Sequence, residues 1–324
     1  MTPLLEIDNL RVTFDTRHGM VTALDSVSLH LNAGETLGVV GESGCGKSIT
    51  ALSVMGLIPQ PPGRIAGGSI RLNGEDLVGA EPARLRSLRG SDVAMIFQEP
   101  MTSLNPVLRC GDQIAEAIML HQNVDSARAS RLAVELLDRV GIPAPAQRAR
   151  DYPHQLSGGM RQRVMIAMAV SCRPKVLVAD EPTTALDVTV QAQIFDLLNE
   201  IQRDVGAAIL LITHDMGAIS EMADRVAVMY AGRVVEQGKA DDVLDHAEHP
   251  YTRGLIDCIP ALGRRDDTLR EIPGVVPPLH LLGDGCAFAS RCAHADRRCL
   301  AQKPVLTKWR HHPVACHAVE EGRI

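Results

Sequence analysis

The sequence lacks any apolar run approaching the ~20 residues that a helix needs to cross a bilayer. It also lacks an excess of positive charge, because 33 Lys and Arg stand against 39 Asp and Glu, for a formal net charge of −6. Proteins that bind nucleic acid carry a basic surface, so this balance argues against a nucleic-acid partner. The first residues contain no basic stretch followed by an apolar core. We therefore expect no signal peptide and a cytoplasmic protein.

What the chain does have is the composition of an ordinary globular protein. Its 324 residues are 45% hydrophobic, which suggests two domains or one large domain with an extension. Its eight cysteines should stay reduced in the cytoplasm unless they bind metal. Four of them are scattered and look structural, namely Cys45, Cys110, Cys172 and Cys258. The other four crowd near the C-terminus, namely Cys286, Cys292, Cys299 and Cys316.

A glycine-rich stretch organises the rest of the chain: Gly41-Glu42-Ser43-Gly44-Cys45-Gly46-Lys47-Ser48. It lies between a predicted buried strand at 36–40 and a predicted helix that includes Ile49, which is the context of a phosphate-binding loop. Its glycines let backbone N–H groups converge on phosphate oxygens at a helix N-terminus. Lys47 would reach the β- and γ-phosphates, and the Ser48 hydroxyl would hold Mg²⁺. The alternative is a glycine-rich turn before an ordinary helix, and eight matching residues disfavour it.

The segment before this loop predicts two antiparallel strands. Residues 4–14 and 21–31 alternate apolar and polar side chains, and His18-Gly19 joins them. Phe14 ends the first strand. An aromatic side chain near a nucleotide loop can stack on adenine, and we predict that role for Phe14, although an aromatic at a strand end is more often part of the core.

The segment from about 100 to 172 predicts a helical subdomain inserted into an α/β core. Apolar residues recur at three- and four-residue spacing between 110 and 140, without a strand signal. The segment closes with Leu156-Ser157-Gly158-Gly159, followed by a helical pattern at 164–170. Ser157 can cap this helix, and Ser-Gly-Gly at a helix start is a second place for a phosphate to bind. Taken alone, Ser-Gly-Gly is more often a flexible loop.

Acidic and polar residues follow two predicted buried strands. The apolar run 176–179 suits a central parallel strand, and Asp180 and Glu181 follow at its carboxyl end, where α/β sheets bind ligands. Asp180 is suited to contact Mg²⁺ and Glu181 to polarise an attacking water. His214 follows the next buried strand, at 208–213, and is a candidate contact to the γ-phosphate, although a lone histidine is usually structural. The alternative for the two acids is a solvated strand end.

In this order, these segments resemble the ATP-binding subunit of an ABC transporter. The phosphate loop, Gln98, Leu156-Ser157-Gly158-Gly159, Asp180-Glu181, Asp187 and His214 match the family's Walker A, Q-loop, signature, Walker B, D-loop and H-loop. The match covers about residues 4–258. The resemblance implies that two such subunits face each other head to tail. Each ATP is then held by the Walker motifs of one subunit and by the signature serine and glycines of the other.

The resemblance also implies a role for each matching residue. Glu181 is the general base, His214 holds the γ-phosphate, Gln98 contacts metal and water, and Asp187 bridges the subunits. The residues expected to bind nucleotide are Phe14, Gly41, Ser43, Gly44, Cys45, Gly46, Lys47, Ser48, Ile49, Ser157, Gly158, Gly159 and Asp187. The residues expected to contact Mg²⁺ are Ser48, Gln98 and Asp180.

Three further segments look like the dipeptide/oligopeptide importer branch of the family. They are Gln98-Glu99-Pro100-Met101-Thr102-Ser103-Leu104-Asn105-Pro106, Tyr152 to Met160, and His249-Pro250-Tyr251-Thr252-Arg253. The tail after Pro260 resembles that of the branch's D-type subunit. One departure is Thr184-Ala185 before Leu186-Asp187, where many members carry Ser-Ala.

Membership of this branch implies a set of partners and a location. The partners are a second ATPase chain that is similar but different, two membrane-spanning permease subunits and an extracytoplasmic solute-binding protein, with no nucleic acid. The location is the cytoplasmic face of the membrane, as a peripheral subunit. The solute stays open, because the same branch handles nickel chelates and glutathione. A soluble ABC ATPase acting on nucleic acid or ribosomes is the other alternative, disfavoured by the single core and the absence of a basic tract.

The last four cysteines form the pattern C-x₅-C-x₆-C-x₁₆-C and are called here the four-cysteine group (Cys286, Cys292, Cys299 and Cys316). Four thiolates can bind zinc or an iron–sulfur cluster. The first spacing is wider than is usual for zinc, yet four nearby histidines, His294, His311, His312 and His317, keep zinc open. The resemblance to D-type subunits favours a 4Fe–4S cluster, with zinc next and free thiols or disulfides last.

The expected fold is α/β, a phosphate-loop NTPase core of ABC type with an antiparallel β subdomain and an inserted helical subdomain. The expected domains are an ATP-binding domain at 1–258 and a small extension at 259–324, stapled by metal because it has little apolar pattern of its own. The expected activity is ATP hydrolysis that powers uptake of dipeptides or oligopeptides.

Overall fold

The computed structural model describes residues 2–184, 186–258 and 271–324. The chain divides into two compact units. The first contains Met1–His30, Thr36–Val78 and Ile212–Ile324, and the second contains Leu31–Glu35 and Gly79–Leu211. Ala185 of the expected D-loop and residues 259–270, where the extension was expected to begin, lie outside the described residues.

The strands and helices follow the expected order along the chain. The strands are β1 (Leu5–Thr16), β2 (Gly19–Leu31), β3 (Thr36–Val40), β4 (Gly63–Leu72), β5 (Glu75–Asp76), β6 (Val93–Ile96), β7 (Val176–Asp180), β8 (Ala208–Thr213), β9 (Arg225–Tyr230), β10 (Arg233–Lys239), β11 (Thr307–Trp309) and β12 (His312–Val314). The helices are α1 (Lys47–Val54), α2 (Pro82–Leu88), α3 (Pro100–Ser103), α4 (Cys110–His121), α5 (Ser126–Arg139), α6 (Pro145–Arg148), α7 (Gly158–Val170), α8 (Val188–Val205), α9 (Met216–Met222), α10 (Ala240–Asp245), α11 (Pro250–Asp257), α12 (Arg297–Ala301) and α13 (His317–Glu320). Short 3₁₀-helices lie at Pro153–Gln155, Leu279–Leu281 and Ala289–Arg291.

The first unit contains one sheet in the order β2-β1-β4-β5. Strands β1 and β4 are antiparallel, with Leu5 opposite Leu72 and Phe14 opposite Gly63. Buried and exposed residues interchange along β1 and β2, as expected for strands that cover a core with one face. The two strands predicted at 4–14 and 21–31 are therefore present and are neighbours in the sheet.

The first unit also contains the strand order β11-β12-β10-β9-β3. Every residue of β3 is buried, which explains its uninterrupted apolar sequence. Strand β9 runs parallel to β3, with Val228 opposite Val40, so both strands end at the same edge. The phosphate loop starts at this edge.

The second unit contains the parallel pair β6 and β7, with Ile96 opposite Ala179. Helices α3 to α7 occupy the segment predicted as helical. The buried face of α5 consists of Ala129, Ala133 and Leu137, spaced four residues apart, and Asp125 caps its N-terminus. Strand β8 begins in this unit and ends in the first.

The described part of the extension, 271–324, belongs to the first unit and packs against the rest of it instead of standing alone. Phe288 shares a buried cluster with Tyr230 of β9 and Tyr251 of α11. Strand β12 pairs antiparallel with β10, with Val314 opposite Glu236. A segment with too few apolar residues for its own core thus uses the core beside it. Nothing in the described part of the chain is a helix long and apolar enough to cross a membrane.

Candidate active site

Glycines set the backbone of the phosphate loop, Gly41–Ser48. Gly41 has φ +157°, and a Cβ there would lie 2.3 Å from the Met229 carbonyl oxygen of the neighbouring strand. Gly44 and Gly46 have φ values of +81° and +105°, which other residues rarely adopt. Helix α1 begins at Lys47, directly after the third of these glycines. The loop therefore turns back over the helix N-terminus, as a phosphate-binding loop requires.

The Lys47 side chain lies inside this loop and is only 4% exposed. Its ammonium nitrogen donates hydrogen bonds to the carbonyl oxygens of Gly41, at 2.6 Å, and Glu42, at 3.1 Å. The positive charge is thus held by loop carbonyls next to the helix N-terminus. An anion that reaches the loop meets an ammonium group and the positive end of a helix dipole together.

Residues outside the loop hold it in place. The Gly232 N–H donates to the Cys45 carbonyl at 2.9 Å, and the Glu42 N–H donates to the Tyr251 hydroxyl at 2.7 Å. The Glu42 carboxylate forms an ion pair with Arg291 of the extension, at 2.6 Å. Cys45 is fully buried, and burial raises the pKa of its thiol, which fits packing inside the loop.

The remaining residues predicted in the first unit occupy different surroundings. Ser43 and Gly44 are exposed at the loop tip, while Ser48 and Ile49 are half-buried in the first turn of α1. His214 is exposed directly after β8. Phe14 is half-buried near the end of β1, opposite Gly63. Its role in stacking on adenine stays a prediction.

In the second unit, two of the predicted residues are in direct contact. The Gln98 amide donates to the Glu181 carboxylate at 2.9 Å, because β6 and β7 end at the same edge. The Thr184 hydroxyl donates to the same carboxylate oxygen at 2.8 Å. Asp180, one residue earlier, is almost completely buried. Glu181 has φ +46°, a conformation that costs energy in a residue with a side chain and that recurs at active sites.

The predicted signature motif begins α7. Ser157 caps the helix by accepting a hydrogen bond from the Met160 N–H at 3.3 Å. Asp187 caps α8 in the same way through the Val190 N–H at 2.9 Å. A Cβ on Gly159 would lie 3.2 Å from the Val190 side chain, so the two helix starts approach closely. Gly158 is half-buried beside them.

Sequence reasoning missed several contributors to these arrangements. Thr184 was noted only as a departure from the family, yet it orients Glu181. Gln162 of α7 is buried and donates to the Pro182 carbonyl at 2.6 Å, which ties the signature helix to the segment after Glu181. Tyr251 stood in a segment quoted only for its resemblance. Arg291 carried no sequence signal, because a lone arginine in a basic tail looks solvated.

All members of the four-cysteine group line one small cavity, together with His249, His294 and His317. The His294 N–H donates to the Cys292 sulfur at 3.4 Å. The four cysteines are free thiols. Across residues 2–184, 186–258 and 271–324, no three or more His, Cys, Asp or Glu side chains are arranged to hold a metal ion.

Comparisons with known proteins identify what these arrangements resemble. The sequence model described as "ABC transporter" matches residues 24–184, which include the phosphate loop, Gln98, Asp180 and Glu181. The model described as "Oligopeptide/dipeptide transporter, C-terminal region" matches residues 235–299, which include three of the four clustered cysteines.

Similar curated proteins match along nearly the whole chain. A putative peptide import ATP-binding protein of Brucella melitensis is 49% identical, covering 97% of this chain and 96% of its own length. The oligopeptide transport ATP-binding protein AppD of Bacillus subtilis is also 49% identical, covering 99% and 98%.

Solved structures of ABC cassettes share the fold. The dimeric bacterial ABC transporter cassette MJ0796 aligns with a TM-score of 0.66 at 24% identity, over 73% of this chain and 98% of its own. The structure of cbiO1 from Clostridium perfringens, part of the ABC transporter complex cbiONQ, aligns with a TM-score of 0.64 at 25% identity, over 76% and 92%. The expected ABC-type α/β phosphate-loop fold is confirmed.

Two glycines of the loop should differ in how much an added methyl group destabilises the protein. Gly44→Ala places an alanine at positive φ with nothing within 4 Å of its Cβ. Only backbone strain should then lower the free energy of unfolding, by about 1–2 kcal/mol. Gly46→Ala adds a contact of 2.7 Å with Leu24 and 3.2 Å with the Ala23 carbonyl. Gly46→Ala should therefore lower the free energy of unfolding by at least about 1 kcal/mol more than Gly44→Ala does.

The measurement is chemical denaturation of both variants without nucleotide. Equal destabilisation, or a larger loss for Gly44→Ala, would contradict the crowding at Gly46.

Proposed function

Because the chain belongs to the ABC transporter family of ATP-binding proteins, we propose that it hydrolyses ATP to power the import of dipeptides or oligopeptides. The observation that carries the proposal is the near end-to-end similarity to proteins named for peptide import and oligopeptide transport. The separate match of residues 235–299 to the C-terminal region of such transporters supports it.

The phosphate loop binds the phosphates of ATP. Lys47 provides positive charge within the loop. The N–H groups at the start of α1, which form the positive end of the helix dipole, attract the anion as well. Phe14 stacks on adenine, and His214 contacts the γ-phosphate. Together these residues fix the nucleotide so that the bond to the γ-phosphate is presented to water.

The residues that would hold Mg²⁺ are Ser48, Asp180 and Gln98. A hydroxyl, a carboxylate and an amide oxygen are the hard donors that Mg²⁺ prefers, so the donor set fits the ion. When bound, Mg²⁺ neutralises charge on the phosphate oxygens. Asp180 is the last residue of β7 and is almost completely buried. Its carboxylate is therefore held at the carboxyl end of the strand, with little access to water.

Glu181 is the general base that takes a proton from the attacking water. Gln98 and Thr184 each donate to its carboxylate, which fixes the direction in which the carboxylate points. The strained backbone of Glu181 contributes to the same orientation. A base held in one position before the substrate binds needs little rearrangement in the transition state.

The signature residues act on the nucleotide of a second, similar ATPase chain. Ser157, Gly158 and Gly159 stand at the exposed start of α7, where a helix N-terminus attracts phosphate. Asp187 bridges the two chains. ATP then lies between two subunits, and its binding and hydrolysis close and open the pair. Two membrane-spanning permease subunits convert that motion into transport, a solute-binding protein delivers the peptide, and the chain sits on the inner face of the membrane.

The four-cysteine group would hold a 4Fe–4S cluster, with zinc as the alternative. The support is that four thiols line a single cavity and that a backbone N–H points at one of the sulfurs, as is typical of Fe–S sites. The cluster would supply cross-links that the small extension cannot obtain from its own apolar residues.

Replacing the general base tests the ATPase assignment. Glu181→Gln should lower steady-state hydrolysis by at least ~100-fold and leave ATP trapped, because the amide cannot accept the proton. Thr184→Val removes one hydrogen bond to the carboxylate and should cause a smaller loss, whereas Thr184→Ser keeps the hydroxyl and should stay near wild type.

The measurement is phosphate release together with the nucleotide retained after gel filtration. Turnover of Glu181→Gln at the wild-type rate would refute the assignment of the base.

The metal is tested by anaerobic purification. The protein should be brown, absorb near ~400 nm and contain iron and sulfide. Cys299→Ser should lose the colour and the iron, and Cys172→Ser, which changes a cysteine outside the group, should keep both. Colourless wild-type protein with stoichiometric zinc would overturn the iron–sulfur assignment.

A further inference from the structure

Arg291 of the extension uses its whole hydrogen-bonding capacity. A guanidinium group has five N–H donors, and here each has an acceptor. Two donate to the Glu42 carboxylate, at 2.6 and 3.0 Å, and one donates to the Tyr230 hydroxyl at 3.4 Å. The other two donate to the carbonyl oxygens of Pro273 and Ile272, at 2.8 and 3.2 Å. The side chain is only 3% exposed.

Such an arrangement is stronger than an ordinary surface ion pair. The pairing with Glu42 is bidentate, which combines charge with two parallel hydrogen bonds. The guanidinium carbon also lies 5.8 Å from the ring centres of Tyr230 and Phe288. Its hydrogen bonds to Glu42 raise the pKa of Arg291 further above its usual value, so the charge is permanent.

Glu42 connects this arrangement to the phosphate loop. Its N–H donates to the Tyr251 hydroxyl at 2.7 Å, and its carbonyl accepts from the Lys47 ammonium at 3.1 Å. Side chain, N–H and carbonyl of one loop residue are therefore all held. Loss of the ion pair would remove one of the three contacts that hold the residue whose carbonyl orients Lys47.

We propose that Arg291 is a positioning residue for the nucleotide site: through Glu42 it holds the phosphate loop in its binding conformation, and so the extension sets nucleotide affinity. The inference rests on the proposed function, because it assumes that the loop binds ATP. If the binding conformation is populated less often without Arg291, the apparent dissociation constant rises by the same factor.

A purely structural role for Arg291 makes a different prediction. Its contacts with Ile272 and Pro273 alone would stabilise the extension, and their loss would lower the melting temperature without changing nucleotide affinity. The two roles separate in a double-mutant cycle, because only the positioning role requires Glu42.

The experiment measures MgADP binding to the full-length chain by calorimetry, since ADP fills the loop without turnover. Arg291→Met should weaken binding by about tenfold or more, and Glu42→Gln should weaken it by a smaller factor. The double variant should bind no more weakly than Arg291→Met alone. The control is Arg298→Met in the same extension, where an exposed arginine pairs with Glu320 and Glu321, and its affinity should stay within about twofold of wild type.

Each outcome decides a separate question. The inference is wrong, while the proposed function stands, if folded Arg291→Met binds MgADP as tightly as wild type. The same holds if the losses of affinity caused by Arg291→Met and Glu42→Gln add up in the double variant. If wild type itself binds no nucleotide, the proposed function fails. If Arg291→Met does not fold, Glu42→Ala decides, because it leaves the other three contacts of Arg291 in place and should still weaken binding; unchanged affinity there overturns the inference.

Discussion

A loop of backbone N–H groups binds phosphate well only when the groups face one point before the ligand arrives, because ordering them afterwards costs conformational entropy. Most features of the first unit serve this constraint. The buried parallel pair β3 and β9 brings the loop to a sheet edge, and positive-φ glycines turn it over the start of α1. Lys47 closes the loop from inside through two of its carbonyls. Gly232 and Tyr251 hold it from outside.

The second unit meets a similar requirement for a carboxylate. Under the proposed mechanism Glu181 points a carboxylate oxygen at a water molecule, and the structure gives it a strained backbone position and two hydrogen-bond donors to its side chain. The pairing of β6 with β7 makes this possible, because both strands end at the same edge. Ser157 caps α7, and Gly158 and Gly159 form its first turn, the place from which the proposed mechanism has them reach the nucleotide of a second subunit.

Much of this could be predicted from the sequence, because the responsible signals are local. The apolar runs of β3, β7 and β8, the glycines of the loop and the cap at Ser157 each act on neighbouring residues. The contacts that could not be predicted from the sequence join segments that are distant along the chain. Arg291 meets Glu42 across 249 positions, and Tyr251 meets it across 209, so neither pairing leaves a pattern in the sequence. The extension seemed to lack a core for the same reason, since its Phe288 packs on residues of β9 and α11.

Transport in a reconstituted complex tests whether ATP hydrolysis by this chain drives peptide uptake. The complex of this chain with its co-purifying ATPase and permease subunits would be reconstituted in vesicles with the ATP-binding surface facing the ATP supply. A labelled di- or oligopeptide, delivered by the solute-binding protein, should cross the membrane only when hydrolysable ATP is present. Equal uptake with ATP and with a non-hydrolysable analogue would show that hydrolysis does not drive import, and ATP hydrolysis without any movement of peptide would show that peptides are not the transported solute.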